Sequence, residues 1–163
     1  MANLWHTEAL GRIVSGFTGE IDYASDIIII MAFEDITGYD EDDEFVAGTS
    51  EILNRAGVTE VTSTGYVGGF EAADRLSLAS KTITVQAGSN QVEFDCADLT
   101  WPDIALAGSE TWLAFLVAKE LTSDALSPAM WKVDTGTGIP LTPNGSDITF
   151  TVAATGIATI GSA

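Results

Sequence analysis

An uninterrupted apolar run at residues 27–33 constrains the fold of this chain more than any other feature of its sequence. Side chains alternate between the two faces of a strand, so a strand built from this run presents apolar groups on both. Such a strand must be covered on both sides, because either open face would leave large apolar groups in water. The run is also far shorter than the about 20 residues of a membrane-spanning helix. It predicts a central β-strand, preceded by a polar turn at residues 22–26.

Several other segments rich in threonine, valine and aromatic residues are separated by glycine-rich or polar turns. They predict strands at residues 58–67, 82–86, 91–95, 112–119, 130–134 and 147–152. A helix is the alternative for residues 112–119. The turn at 87–90 predicts a hairpin of the strands at 82–86 and 91–95. The strands at 130–134 and 147–152 are expected to pair with each other. This pattern indicates a mostly β fold, an antiparallel β-sandwich or small barrel.

The chain is expected to form one domain over residues 1–163, with an N-terminal arm at 1–6 and a C-terminal tail at 153–163. Residues 7–16 predict one short helix, with Thr7 as its N-cap and Gly16 near its end. The end of the tail, residues 155–163, is small and apolar. Two alternatives stay open for it: an added strand, or an extended peptide that reaches a neighbouring molecule.

The charge of the chain limits its partners. Twenty-four acidic residues against 6 basic ones give a formal net charge of -18. Nucleic acids and anionic membranes would be repelled, because binding them requires clusters of lysine and arginine. A basic protein surface would be attracted. The first sixteen residues lack a basic region followed by an apolar core, so no secretory signal is expected.

Catalytic residue sets are difficult to assemble from this sequence. His6 is the only histidine and Cys96 the only cysteine, so no disulfide within the chain and no thiolate metal cluster can form. Carboxylates surround Cys96 in the sequence and disfavour its thiolate. The glycines at 65–69 are not followed by the lysine of a phosphate-binding loop. We expect no enzymatic activity and no cofactor.

Five consecutive acidic residues at 40–44 predict an exposed loop, because like charges repel one another. Clustered carboxylates can bind Ca²⁺, but the spacing is not that of a calcium-binding loop, which has acids at alternate positions. A solvated loop without a metal is the prediction.

Four tryptophans are the strongest candidates for core or interface anchors. Trp112 is expected in the core. Leu4, Trp5 and Trp101 are expected at an interface, because tryptophan is enriched in binding hot spots and an apolar pair near the N-terminus calls for a partner that covers it.

Residues 133–150 read Val-Asp-Thr-Gly-Thr-Gly-Ile-Pro-Leu-Thr-Pro-Asn-Gly-Ser-Asp-Ile-Thr-Phe. This segment resembles a C-terminal pattern of small virion proteins of tailed bacteriophages, approximately Asp-Thr-x-Thr-Gly-Leu-Pro-Val-Thr-Pro-Asn-Gly-Gly-Asp-Ile. The opening residues 1–5 and the residues from 16 to 27 are also similar to that family, whereas the neutral tail at 152–163 departs from it. Within the motif, Pro143 and Asn144-Gly145 form a strong turn signal.

The resemblance implies a virion component made in the cytoplasm of a bacterial host. The preferred role is a decoration or cement protein, a homotrimer that binds the major capsid protein on the outer capsid surface. The alternatives are a neck or tail component and, outside structural proteins, a glycan-binding module that stacks aromatic side chains on sugars.

Overall fold

The computed structural model describes residues 4–5, 21–40, 42, 45–47, 51–68, 75–89, 91–105 and 110–161. This part of the chain contains ten strands and a short 3₁₀ helix at Ile52–Asn54. The strands are β1 (Leu4–Trp5), β2 (Ile28–Ile36), β3 (Val58–Glu60), β4 (Thr82–Gln86), β5 (Gln91–Asp95), β6 (Leu99–Trp101), β7 (Ala114–Lys119), β8 (Ala129–Val133), β9 (Ile148–Phe150) and β10 (Ala158–Gly161). The prediction of a mostly antiparallel β fold is confirmed. The helix predicted at residues 7–16 lies outside the described residues.

The largest sheet has five antiparallel strands in the order β1-β8-β7-β2-β3. The apolar run forms β2, which pairs along its first six residues with β7 and then with β3. The segment predicted at 112–119 is a strand, β7, and not a helix. The prediction of a buried strand is wrong for Ile27. The strand begins one residue later, so Ile27 precedes β2 and is 55% exposed.

One face of β2 packs against the other two sheets. Ile28, Ile30 and Ala32 belong to a large core cluster with side chains from β5, β6 and β10. Aromatic rings fill the space between the sheets, with the ring of Trp101 5.4 Å from that of Trp112 and 5.7 Å from that of Phe115. This packing of sheets face to face is the sandwich arrangement.

The opposite face of β2 is covered by a different part of the chain. Ile29, Met31 and Phe33 pack in a second cluster with side chains of the segment around the 3₁₀ helix. Val46 and Ile52 are completely buried there. The central strand is therefore buried on both faces, as the apolar run predicts.

The two smaller sheets are β10-β5-β4 and β6-β9. The predicted hairpin is confirmed as β4 and β5, and the tail forms an added strand, β10, that pairs with β5. The predicted pairing of 130–134 with 147–152 is wrong. Strand β8 lies between β1 and β7, so both its edges are occupied, and β9 pairs instead with β6, a strand that the sequence analysis missed.

The predicted turn at residues 142–145 is confirmed in its left-handed glycine, and the backbone bends at residues 145–146. Gly145 has a φ of +88°, in the left-handed region, and its backbone N–H donates to the Ile104 carbonyl at 2.9 Å. The Asn144 side chain accepts a hydrogen bond from the Ser146 N–H at 3.1 Å. The turn therefore leads the chain to β6, not back to β8.

We expect Gly145→Ala to lower the free energy of unfolding by about 1–2 kcal/mol, because a Cβ is strained at positive φ. Open space surrounds a Cβ built at Gly145, so backbone strain is the only cause. Gly88→Ala is the matched control, since Gly88 has the same open space without the left-handed φ. Equal stability of the two variants in urea unfolding would contradict this account of the turn.

Candidate functional site

A buried arginine joins three separate segments of the chain. The Arg75 side chain is almost completely buried and donates to Glu60 of β3 and to Asp124 in the loop after β7. Two nitrogens bind each carboxylate, at 2.9 and 3.1 Å to Glu60 and at 2.7 and 3.1 Å to Asp124. Burial lowers the Arg75 pKa, but the hydrogen bonds to both carboxylates outweigh it and raise the pKa above its usual value.

Tyr66 completes this network. Its hydroxyl donates to the Glu60 carboxylate at 2.7 Å and accepts the backbone N–H of Ala32 in β2 at 3.0 Å. Burial and the adjacent Glu60 charge raise the Tyr66 pKa, so the phenol stays protonated and remains a donor. These contacts attach the network to the central strand and serve the fold.

A third buried carboxylate, Glu110, accepts hydrogen bonds from the Thr62 backbone N–H and the Ser63 hydroxyl. The Ser63 oxygen also accepts the indole N–H of Trp112 at 3.2 Å. Because Ser63 and Glu110 are both buried, the serine hydroxyl is not accessible to a substrate.

The sequence-predicted reactive groups do not form a site in the described part of the chain. Cys96 is buried just after β5, and burial, followed by the charges of Asp95 and Asp98, raises its pKa. His6 lies outside the described residues. Of the acidic run at 40–44, Asp40 forms an ion pair with Arg55 at 3.1 Å. Among the described residues, no three potential ligands are close enough together to hold a metal ion.

The interface residues expected from the sequence are separated in the structure. The prediction that Trp101 lies at an interface is wrong. Its side chain is 3% exposed and packs in the first core cluster, so it is not presented to a partner. Trp112 is completely buried, as predicted. Leu4 and Trp5 form β1 at the edge of the five-stranded sheet, opposite Lys132 and Trp131. Their place at an interface stays a prediction.

Three exposed apolar side chains lie instead at one end of the large sheet. Ile27 is 55% and Leu126 54% exposed, and Leu121 is similarly exposed. Two hydrogen bonds hold them in adjacent segments, from the Glu120 N–H to the Ile27 carbonyl at 2.8 Å and from the Leu121 N–H to the Ser127 hydroxyl at 3.0 Å. We call Ile27, Leu121 and Leu126 the apolar end.

Acidic groups border the apolar end. Asp22 is exposed, and a hydrogen bond from the Ser25 hydroxyl lowers its pKa, so it is charged at neutral pH. Glu120 lies between the end of β7 and Leu121, and its backbone N–H donates to the Ile27 carbonyl. The nearby cation, Lys119, forms an ion pair with Asp26 at 2.7 Å. The result is an apolar patch with a negative rim, the arrangement that suits a partner with apolar and basic side chains.

The buried network positions this patch. The loop at residues 121–127 carries Leu121 and Leu126, and its Asp124 is the carboxylate that Arg75 holds. The same loop accepts backbone hydrogen bonds from Val46 and Ala47, on the far side of the central strand. The apolar end is therefore fixed to the core before a partner binds.

Sequence reasoning missed the apolar end because its residues look like ordinary core residues. Ile27 begins the most apolar run in the chain, and only the strand boundary reveals that it is exposed. The usable signal was local: Leu121 and Leu126 lie among turn-forming residues in Thr-Ser-Asp-Ala, where a loop exposes them.

Comparisons with protein-family models, with curated proteins and with solved structures found no match to this chain. Within the described residues, no helix has the length and apolar character needed to cross a membrane.

We expect Arg75→Ala to destabilise the protein by about 3–5 kcal/mol, because it leaves two buried carboxylates without their cation. Arg55→Ala is the matched control: Arg55 pairs with Asp40 at the surface, where loss of an ion pair costs at most about 1 kcal/mol. Chemical denaturation measures both. Equal losses would show that the buried network does not carry the stability assigned to it.

We expect Cys96 to react slowly with a thiol reagent at neutral pH, because its raised pKa keeps the thiol protonated and burial blocks access. The rate should rise strongly when the chain is unfolded in denaturant, which serves as the control. Equal rates in the folded and unfolded chain would contradict the burial of this side chain.

Proposed function

We propose that this chain is a non-enzymatic virion structural protein, a decoration or cement protein that binds the major capsid protein on the outer surface of a bacteriophage head. The observation that carries the proposal is the apolar end, an exposed apolar patch with an acidic rim on a rigid sheet. A protein that works by binding needs such a surface. The resemblance of residues 133–150 to bacteriophage virion proteins supports the choice of partner.

The state of the polar side chains supports a binding role over catalysis. In the described part of the chain, the buried ionisable groups Arg75, Glu60, Asp124 and Glu110 are each held by internal partners. Groups that are fully used within the fold stabilise it, and they are not free to accept or donate a proton to a substrate.

The charge of the chain supports an exterior position. A formal net charge of -18 repels packaged nucleic acid and favours contact with a basic protein surface. Stabilisation of the head then follows from mass action, because a protein that binds only the assembled lattice favours the assembled state. The stabilisation is about 2.7 kcal/mol when the concentration of the protein is 100 times Kd.

A neck or tail component is the closest alternative, since it would use the same kind of surface. A glycan-binding module is less well supported. Sugar stacking needs exposed aromatic rings, and among the described tryptophans whose side chains are placed, Trp101, Trp112 and Trp131 are buried.

The proposal is tested by adding the purified chain to capsids that lack it and measuring the bound fraction by sedimentation. We expect Leu126→Lys to weaken binding roughly tenfold or more, because it places a cation in the apolar end against a basic surface. Val67→Lys is the matched control, since Val67 is 47% exposed but lies outside the apolar end. Both variants should melt close to the unmodified chain.

Ionic strength gives the second measurement. Binding should weaken between about 50 and 200 mM salt, because screening reduces the attraction between the acidic rim and a basic surface. Absence of binding to heads, with binding to isolated necks or tails, would favour the alternative virion location. Binding to glycans and not to any virion part would contradict the proposal.

A further inference from the structure

Strand β4 is exposed along its whole length, which no other strand with described side chains shares. Its residues are Thr82-Ile-Thr-Val-Gln86, and they include two large apolar side chains, Ile83 at 46% and Val85 at 73% exposure. Strand β4 lies at one end of the β10-β5-β4 sheet, with β5 on its inner side. Its outer edge pairs with no described strand.

The strand register shows that these two side chains extend an apolar face of the sheet. Ile83 lies opposite Phe94 of β5, and Val85 lies opposite Val92. The neighbouring β10 contributes Ala158 opposite Phe94. Residues directly opposite one another share a face. Phe94 and Ala158 are buried in the first core cluster, so this face runs from the core out to an uncovered strand.

The edge of β4 lacks the features that normally keep sheet edges apart. Edge strands that avoid pairing with another sheet are very short, or they carry charges, prolines or bulges. Strand β4 has five residues, none charged and none proline, and its pairing with β5 is continuous. By contrast, the edge strand β3 has three residues, one of them Glu60, and a register irregularity on its partner. Among the strands with described side chains, β4 is the one that is both uncharged and fully exposed.

We infer that β4 is a self-association surface, and that it pairs antiparallel with β4 of a second copy of this chain about a two-fold axis at Thr84. The pattern of β4 is the same from both ends, polar and apolar residues alternating around a central threonine. In this register Thr84 faces its own copy and Ile83 faces Val85 of the second copy. Thr82 faces Gln86 of the second copy, so polar residues face polar ones and no charge opposes a like charge.

Charge also favours a second copy of this chain over a basic partner at β4. A basic strand would find no acidic side chain on β4 to bind, whereas a second copy meets only neutral groups there. Lys81, which precedes β4, would lie opposite Ala87 of the second copy and away from the other Lys81. The pairing unites the two apolar faces into one continuous surface of six strands.

This contact is two-fold, so it forms a dimer, whereas the resemblance to bacteriophage virion proteins implies a trimer. It goes beyond the proposed function and uses a different surface from the apolar end. The two interactions also respond to salt with opposite sign. Two chains of formal charge -18 repel each other, and salt screens that repulsion beyond about 8 Å at physiological strength. Dimerisation should therefore strengthen as salt rises.

The direct test is a cysteine placed on the proposed axis. Opposite residues in antiparallel strands have Cα atoms about 4.5–5.5 Å apart, within the about 4.4–6.8 Å that a disulfide spans. Under mild oxidation, Thr84→Cys should give a covalent species of twice the 17.1 kDa chain mass. Thr59→Cys is the matched control, an exposed threonine on the edge strand β3, and should stay monomeric. Cys96 is buried and should not take part.

Sedimentation equilibrium of the uncrosslinked chain supplies the second measurement. The unmodified chain should show a dimer that grows with protein concentration and with salt, and Val85→Lys should abolish it without changing the melting temperature. A monomer at all concentrations and salts would overturn the inference. So would a trimer that persists in Val85→Lys, or equal crosslinking of the Thr84 and Thr59 variants. Capsid binding by Val85→Lys separates this result from the proposed function, because the apolar end is intact in that variant.

Discussion

Burial of β2 on both faces is the constraint on which the rest of the structure depends. Its even-numbered residues from Ile28 to Ala32 face the cluster shared with the smaller sheets, and its odd-numbered residues from Ile29 to Phe33 face the cluster around the 3₁₀ helix. Neither layer can be removed without exposing several large apolar side chains, at about 25 cal/mol for each Å². The chain must therefore fold as layers on both sides of one strand.

The Arg75 network connects this core to the proposed binding surface. It joins β3, through Glu60, to the loop that carries the apolar end, through Asp124, and Tyr66 attaches it to β2. A buried ion pair is costly to desolvate, and hydrogen bonds to every charged partner repay that cost. Through Asp124 it holds the position of a loop that backbone hydrogen bonds from Val46 and Ala47 also hold.

The sequence allowed good prediction of what depends on local pattern. The buried strand, the hairpin of β4 and β5, and the turn at Gly145 all follow from alternation or from turn residues, and all were predicted. Strand pairing was not predictable in the same way. The choice of β6 over β8 as the partner of β9 depends on β1 occupying the edge of β8, a contact between residues far apart in the chain.

The binding surfaces were harder to predict than the fold, because exposure of an apolar side chain is a tertiary property. Trp101 is predicted at an interface and lies in the core, while Ile27 belongs to the run that predicts a buried strand and is exposed. The network around Arg75 left no signal either, since its three charged members are 15 and 49 residues apart along the chain.

Amide hydrogen exchange with and without capsids tests the central claim most directly, that the chain works through surfaces fixed on a rigid core. On binding, the amides of residues 121–127 and of Ile27 should gain protection, because they lie at the apolar end. The amides of β2 beyond Ile30 and of β7 should be strongly protected in both states. Protection that appears elsewhere and leaves the apolar end unchanged would contradict the account.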